Sequence, residues 1–340
     1  MNSCGNCFSD RFISNHIDNS ANKKRGKCDF CDKNDVNLIE LVELSDVFQQ
    51  VIDIYTIDEN GVQLVDLLKK DWHLFEKLDN EKSTILLCEI FPETDFINIK
   101  YSPKIEIDPS RIVQWDKFRD ELIRKNRFFS ESIPDRKHLE NLFSNILLKD
   151  DDYSKELYRA RISIGSKPFP IDQMGKPPES NVSEGRANPV GIPYLYTATD
   201  PKTAIEEIRP HKGEYVSIAK FVVINDLKLV DLRNPRKTIS PFSLSEDGLS
   251  QLYSDMEYLC SLGEELSKPV VPRHARLEYL PSQYLCELIK NNGFDGVVYK
   301  SSVGSGDNYA IFNDEKLNGI DVEQYEVSET RIEVKKDGIH

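Results

Sequence analysis

The sequence predicts an α+β protein in which a mostly helical N-terminal region, opened by a cysteine knuckle, precedes a region of short strands and helices. Three observations lead there. Cys4-Gly5-Asn6-Cys7 and Cys28-Asp29-Phe30-Cys31 form CxxC, twenty intervening residues and a second CxxC. Residues 38–150 carry their apolar side chains at helical spacing. Beyond residue 150, apolar runs of strand length alternate with short helical stripes.

Each element follows in order. Two CxxC knuckles present four thiolates as a tetrahedron, so Cys4, Cys7, Cys28 and Cys31 are predicted to hold a structural zinc within residues 1–35, with Gly5 helping the first knuckle turn. Cys88, Cys260 and Cys286 stand singly among apolar neighbours and read as core residues. A polar linker, Asp32 to Asn37, leads into a helical domain over 36–150. There Val47, Val51, Ile52 and Tyr55 share one face, and Val65, Leu67, Leu68, Trp72 and Leu74 another. Further helices are predicted from Val113 to Phe129 and from Arg136 to Leu148, the latter entered through Pro134-Asp135. The run Lys149 to Asp152 marks a solvated boundary before a third domain, 151–340.

In that domain, Leu157–Ile164 and Ile192–Thr197 read as strands, and Asp200-Pro201 starts a helix, Asp as cap and Pro in the first turn. Tyr215–Ile224 and Leu227–Leu232 read as strands joined by a turn at Asn225-Asp226. A helical stripe from Leu249 to Cys260, a helix from Pro281 to Asn291 stopped by Gly293, and a strand at Gly296–Tyr299 complete it.

Composition bounds the function. Of 340 residues, 39% are hydrophobic and 30% charged, which suits a folded chain rather than a disordered one. The formal net charge of -14 argues against a general binder of nucleic acid or anionic membranes, although a local arginine cluster can still hold a small anion. Apolar runs such as Phe221 to Ile224 are far too short to span a bilayer, and MNSCGNCFSD lacks the features of a secretory signal, so a cytoplasmic location is expected.

The chemistry concentrates in Gly185 to Pro210, GRANPVGIPYLYTATDPKTAIEEIRP. On its short helix, Ala204, Ile205 and Ile208 form an apolar stripe; Glu206 lies nearly opposite and is expected to be exposed, whereas Glu207 flanks the stripe and can lean into a cleft. Arg186 sits in a loop of small residues that lets a guanidinium approach a phosphate closely. Arg159, inside the strand LYRAR, needs an anionic partner, and Tyr196 near a strand end offers a ring face and a hydroxyl. An internal ion-pair network with core tyrosines uses the same residue types, so both readings stay open on these residues alone.

From about Tyr153 to Phe312 the chain resembles a RES domain, through LYRAR, SEGRANPVGIPYLYTATDPKTAIEEIRP and GFDGVVYKSSVGSGDNYAIF in that order. The resemblance implies a small mixed sheet similar to that of ADP-ribosyl-transferring toxins. It implies an activity that consumes NAD by cutting the nicotinamide–ribose bond, with phosphate or water as acceptor. It further implies the role of a bacterial toxin or phage-defence effector, silenced by a helix-turn-helix antitoxin or another regulatory protein. Residue by residue, it places catalytic roles on Glu207, Arg159, Tyr196 and Ser301, and substrate binding on Arg186, Asn188 and Ser302. Ser301 and Ser302 compete for the family serine because Lys300 stands where proline is common, and Ala187 replaces an aromatic found after the loop arginine. NAD is then a substrate rather than a recycled cofactor, and the helical region is similar to the HEPN-like domains that accompany some RES proteins. Against the family pattern Asn234 to Arg276 looks like an insertion, and a homo-oligomer is compatible with this reading.

Two other signals are weaker. Gly304-Ser305-Gly306-Asp307 resembles a phosphate-binding turn but reads more simply as a flexible loop, and Arg11 with His16 matches a ribonuclease spacing by chance. His211 reads as a surface residue. Transfer of ADP-ribose to a macromolecule, or nucleotide sensing without turnover, are the alternatives to NAD breakdown.

Overall fold

Short apolar-patterned strands between residues 156 and 326 build a seven-stranded sheet, and most of the elements before residue 113 belong to a separate body. The computed structural model describes residues 1–149 and 152–330. It divides into two compact units, one of Met1–Ile112 with Asn234–Cys260, the other of Val113–Arg233 with the chain from Ser261 onward. This differs from the boundary expected near residue 150, part of which lies outside the described residues: 113–149 belong to the second unit, and most of the insertion belongs to the first.

In the first unit, β1 (Asn2–Ser3) and β2 (Lys24–Gly26) flank β3 (Val36–Glu40) in antiparallel pairing. Helix α1 (Arg11–Asn19) starts at Asp10, whose carboxylate accepts from the Ile13 amide. Then come α2 (Ser45–Ile52), β4 (Tyr55–Gln63), α3 (Leu64–Trp72), α4 (Asn80–Ile90) and β5 (Lys100–Pro103). Strands β4 and β5 pair antiparallel, so the region is less helical than its apolar spacing predicts. Tyr55 turns from helix face to strand because its buried hydroxyl donates to Asp71 and accepts from Trp72 Nε1. Phe8, Phe48 and Phe75 stack at 5.8–6.1 Å as the core.

Helices α5 (Ser110–Arg124), which lies in the second unit from Val113 onward, and α6 (Arg136–Asn145) precede the sheet, each shorter than its apolar stripe. Residues after α6 leave the helix because Leu148 N donates to Leu229 O, extending a sheet edge. The sheet strands are β6 (Glu156–Ile162), β7 (Leu195–Ala198), β8 (Tyr215–Val223), β9 (Leu229–Asp231), β10 (Gly296–Lys300), β11 (Asp307–Ile311) and β12 (Leu317–Glu326), with α7 (Pro201–Ile208) between β7 and β8. Helices α8 (Glu246–Ser267) and α9 (Leu280–Asn291) lie between β9 and β10 in sequence. Among the described residues the seven strands order as β12-β8-β6-β7-β11-β10-β9, all antiparallel except β10 with β9.

The expected hairpin at Asn225-Asp226 does not form. Strand β8 pairs with β6 and β12, while β9 lies at the far edge beside β10. A turn signal specifies only a change of direction; β12, absent from the sequence reading, takes the place beside β8. One face of the sheet packs Leu157, Leu195, Phe221, Val298 and Ile311, and the other packs Ala160, Ala198 and Val216 against Ala204 of α7. Burial of such side chains contributes about 25 cal/mol per Å2 of apolar area. Among the described residues no helix is long and apolar enough to cross a membrane.

Candidate active site

Strands β6 and β7 are neighbours that share a single residue pair, Tyr158 with Ala198, although β6 pairs with β8 along its whole length and β7 pairs fully with β11. Past that pair the two strands part, and Arg159 on one side and Thr197 and Tyr196 on the other border the gap. A cavity of about 540 Å3 opens there, within the range of small-molecule sites. Glu207 and Arg209 from the end of α7, the loop at Glu184–Arg186, Tyr279 before α9, and Ser302 and Asn308 complete its wall.

Arg159 reaches the cavity through its guanidinium. Nη1 donates to the Tyr196 carbonyl at 3.4 Å, whereas Nε is fully buried with no partner among the described residues, and no carboxylate pairs with the group. Burial, with the charge of Arg161 adding to it, pushes its pKa down to about 10, which leaves it cationic near neutrality. The hydroxyl of Thr197, a residue 5% exposed, is likewise buried and unpartnered beside the cavity. A buried charge without an anion is costly, and a ligand that brings an anion removes that cost.

Arg186 is held more fully. Nη1 donates to Lys268 O at 2.6 Å, Nη2 to Ser302 Oγ at 3.2 Å, and the guanidinium lies 5.2 Å from the centre of the Tyr279 ring. Its loop is fixed by Tyr196, whose hydroxyl accepts from the amides of Ala187 (2.9 Å) and Asn188 (3.2 Å) and donates to Asn188 Oδ1 at 2.8 Å. Asn188 Nδ2 closes the loop on the carbonyls of Ser183 and Pro189. Asn188 is therefore buried inside the loop and does not line the cavity, and the Tyr196 hydroxyl is spent on backbone amides, with only its ring left to face a ligand. Asn188 thus lies away from the position expected of it, and of the ring face and hydroxyl expected of Tyr196 only the ring stays open, because a loop of small residues needs internal ties. Tyr196→Phe should orphan these buried groups and destabilise the unit by about 1–3 kcal/mol. A thermal melt checks it: an unchanged melting temperature with lost activity would instead assign the hydroxyl to the ligand.

Helix α7 is capped by Asp200, which accepts from the Thr203 amide, and carries Pro201 at its start as the sequence predicts. At its far end Glu207 Oε1 accepts from Ser301 Oγ and from Asn308 Nδ2, each at 2.6 Å. No described residue bonds Oε2. Glu207 is exposed to the cavity mouth but fixed by these two donors, whereas Glu206, expected to be the exposed one, is partly covered, with Lys202 at 3.8 Å. The two serines divide their labour: Ser301 positions the carboxylate and Ser302 the guanidinium of Arg186. The glycine loop that follows is pinned rather than loose, since Gly304 N donates to Ser301 Oγ and Gly306 N to Thr203 Oγ1. A Cβ on Gly306 would lie 2.4 Å from Asp200 Oδ2, so this approach requires glycine.

Thr197, Asn308, Tyr279 and Arg209 line the cavity without having been singled out from the sequence. Asn308 sits in the quoted GDNYAIF run, but its role depends on pairing with Ala198, which places it beside α7. His211 is exposed and does not line the cavity.

In the first unit the sulfur atoms of Cys4, Cys7, Cys28 and Cys31 all lie within 4.8 Å of one another, with Cys4–Cys31 and Cys7–Cys28 at 3.5 Å and no disulfide. A tetrahedral site with zinc–sulfur bonds of roughly 2.3 Å needs sulfur separations of about 3.8 Å, so this donor set fits a metal ion. Gly5 serves by close packing rather than by a special turn: a Cβ there would lie 2.7 Å from Ser14 Cα. Arg11 and His16 lie on α1, where His16 stacks on Phe12 at 6.4 Å.

The cavity thus combines a buried guanidinium that has no carboxylate partner among the described residues with a fixed carboxylate nearby, a set of groups suited to an anionic ligand. The chain belongs to the RES domain family, whose model matches residues 156–331, just over half of the chain and all of the cavity lining. One solved structure that matches is the crystal structure of the M. tuberculosis MbcT–MbcA toxin–antitoxin complex, at 11% identity and a TM-score of 0.36, over 57% of this chain and 94% of that one. No curated protein matches the chain.

Proposed function

We propose that the protein consumes NAD by breaking its nicotinamide–ribose bond. The observation that carries the reading is Arg159, a buried guanidinium with no protein anion, facing a cavity that also holds a fixed carboxylate. A diphosphate supplies the missing anion in a fork that matches guanidinium geometry. As the glycosidic C–N bond breaks, its electron pair leaves with nicotinamide and positive charge builds on the ribose. Glu207 Oε2 stabilises that charge while Ser301 and Asn308 hold Oε1. Water or inorganic phosphate then forms the new bond to the ribose carbon, and the proton of the attacking water passes to solvent. Arg159 and Arg186 neutralise the diphosphate, Ser302 holds Arg186 in place, and Tyr196 keeps the loop open.

A growth-arresting toxin or phage-defence effector, restrained by an antitoxin or other partner, is the role this activity fits. Cys4, Cys7, Cys28 and Cys31 would hold a structural zinc that organises the N-terminal region. Mass analysis of NAD incubated with purified protein, with and without phosphate, tests the reading. Free nicotinamide with ADP-ribose or its phosphate is expected. Intact NAD bound to the protein would leave a nucleotide sensor, and ADP-ribose on a macromolecule a transferase.

A further inference from the structure

We infer that Arg209 is a third guanidinium of the substrate site, gripping the diphosphate at the cavity mouth and setting the affinity for dinucleotides. This rests on the NAD reading above. Arg209 closes α7, two residues after Glu207, and is among the residues that line the same cavity. Its backbone is left-handed, with φ 48 and ψ 56. Glycine or asparagine is the usual residue in that conformation at a helix end. The residue before a proline is also driven toward extended conformations, and Pro210 follows. Arginine therefore occupies the position against two backbone preferences, as happens where a side chain serves a ligand.

The charges around the cavity point the same way. Three arginines, Arg159, Arg186 and Arg209, line it together with two glutamates, Glu184 and Glu207. Glu184 already pairs with Arg276 at 2.6 Å, so positive charge is in excess. Arg186 has donors committed to Lys268 and Ser302, and Arg159 is fixed in the gap between strands. Arg209 is exposed, and no hydrogen bond or ion pair to another described residue holds its guanidinium. It is the arginine whose full set of donors is available to an incoming dianion.

The test uses the full chain with Arg209→Gly and Arg209→Lys, measuring NAD turnover, binding of inorganic pyrophosphate by calorimetry, and the melting temperature. Glycine should raise KM for NAD about tenfold, with a smaller effect on kcat, and weaken pyrophosphate binding by the same factor, about 1.4 kcal/mol. Its melting temperature should stand at or above that of the wild type, by up to about 2–4 °C, because glycine relieves the backbone. Lysine should recover part of the affinity without the gain in melting temperature. Unchanged KM and pyrophosphate affinity in Arg209→Gly, or a lower melting temperature, overturns the assignment. If wild type binds pyrophosphate but leaves NAD intact, the NAD reading fails while the pyrophosphate comparison still decides the role of Arg209.

Discussion

Glu207→Gln should lower kcat for NAD cleavage by about 10²–10³, the scale on which losing one transition-state electrostatic contact acts. Glutamine keeps the size of the side chain and an oxygen that can accept from Ser301 Oγ and Asn308 Nδ2, so the geometry at Oε1 is retained. What disappears is the negative charge that faces the developing ribose cation. Ground-state affinity should hold or improve, since a carboxylate near a diphosphate repels it. The prediction is thus a split: kcat falls, the NAD dissociation constant stays equal or smaller, and the melting temperature moves little. Single-turnover kinetics beside calorimetry of the variant read all three. Activity within tenfold of wild type would remove Glu207 from the chemistry and leave Asn308 and Ser301 as a merely structural pair.

Cys7→Ser should empty the metal site and unravel the N-terminal end. Cys7 is fully buried beside Cys28, and the following residue, Phe8, anchors the Phe48 and Phe75 cluster while its carbonyl accepts from the Phe75 amide. Around the knuckles the strands are two to five residues long, too little on their own to close a core. Metal binding supplies folding free energy, on the order of 10 kcal/mol for structural zinc. Wild type should carry about one zinc per chain, Cys7→Ser close to none, and hydrogen exchange over residues 1–40 should lose its protection in the variant. Metal-free wild type with full protection there would show that apolar packing alone suffices.

Much of this was legible in residue order and some was not. The clustering of the four cysteines could be read because CxxC spacing sets short-range geometry, and α7 because Asp200-Pro201 is a local start signal. The contents of the cavity were legible only as residue types. That Tyr196 braces a loop, that Asn188 folds inward, and that Ser301 and Ser302 serve different partners all depend on side chains meeting across long stretches of chain. The order of strands was not legible for the same reason. Strand β12 alternates weakly, with Asn318, Asp321 and Glu323 on it, so its pattern resembles a polar tail until β8 is seen beside it. Glu206 and Glu207 were ranked by their angle to an apolar stripe, which fixes direction but not what covers each side chain.

A single rung joins the two halves of the seven-stranded sheet, at Tyr158 and Ala198. Beyond that rung the halves are held by side-chain packing on both faces of the sheet and by the Arg159 bond to the Tyr196 carbonyl, and a ligand lodged in the seam would add contacts across it. Occupancy and cohesion are therefore linked: a guest that binds only the folded domain stabilises it by an amount that grows with the logarithm of its concentration above Kd. By the same linkage, a mutation that zips the seam shut would make the domain sturdier and useless at once.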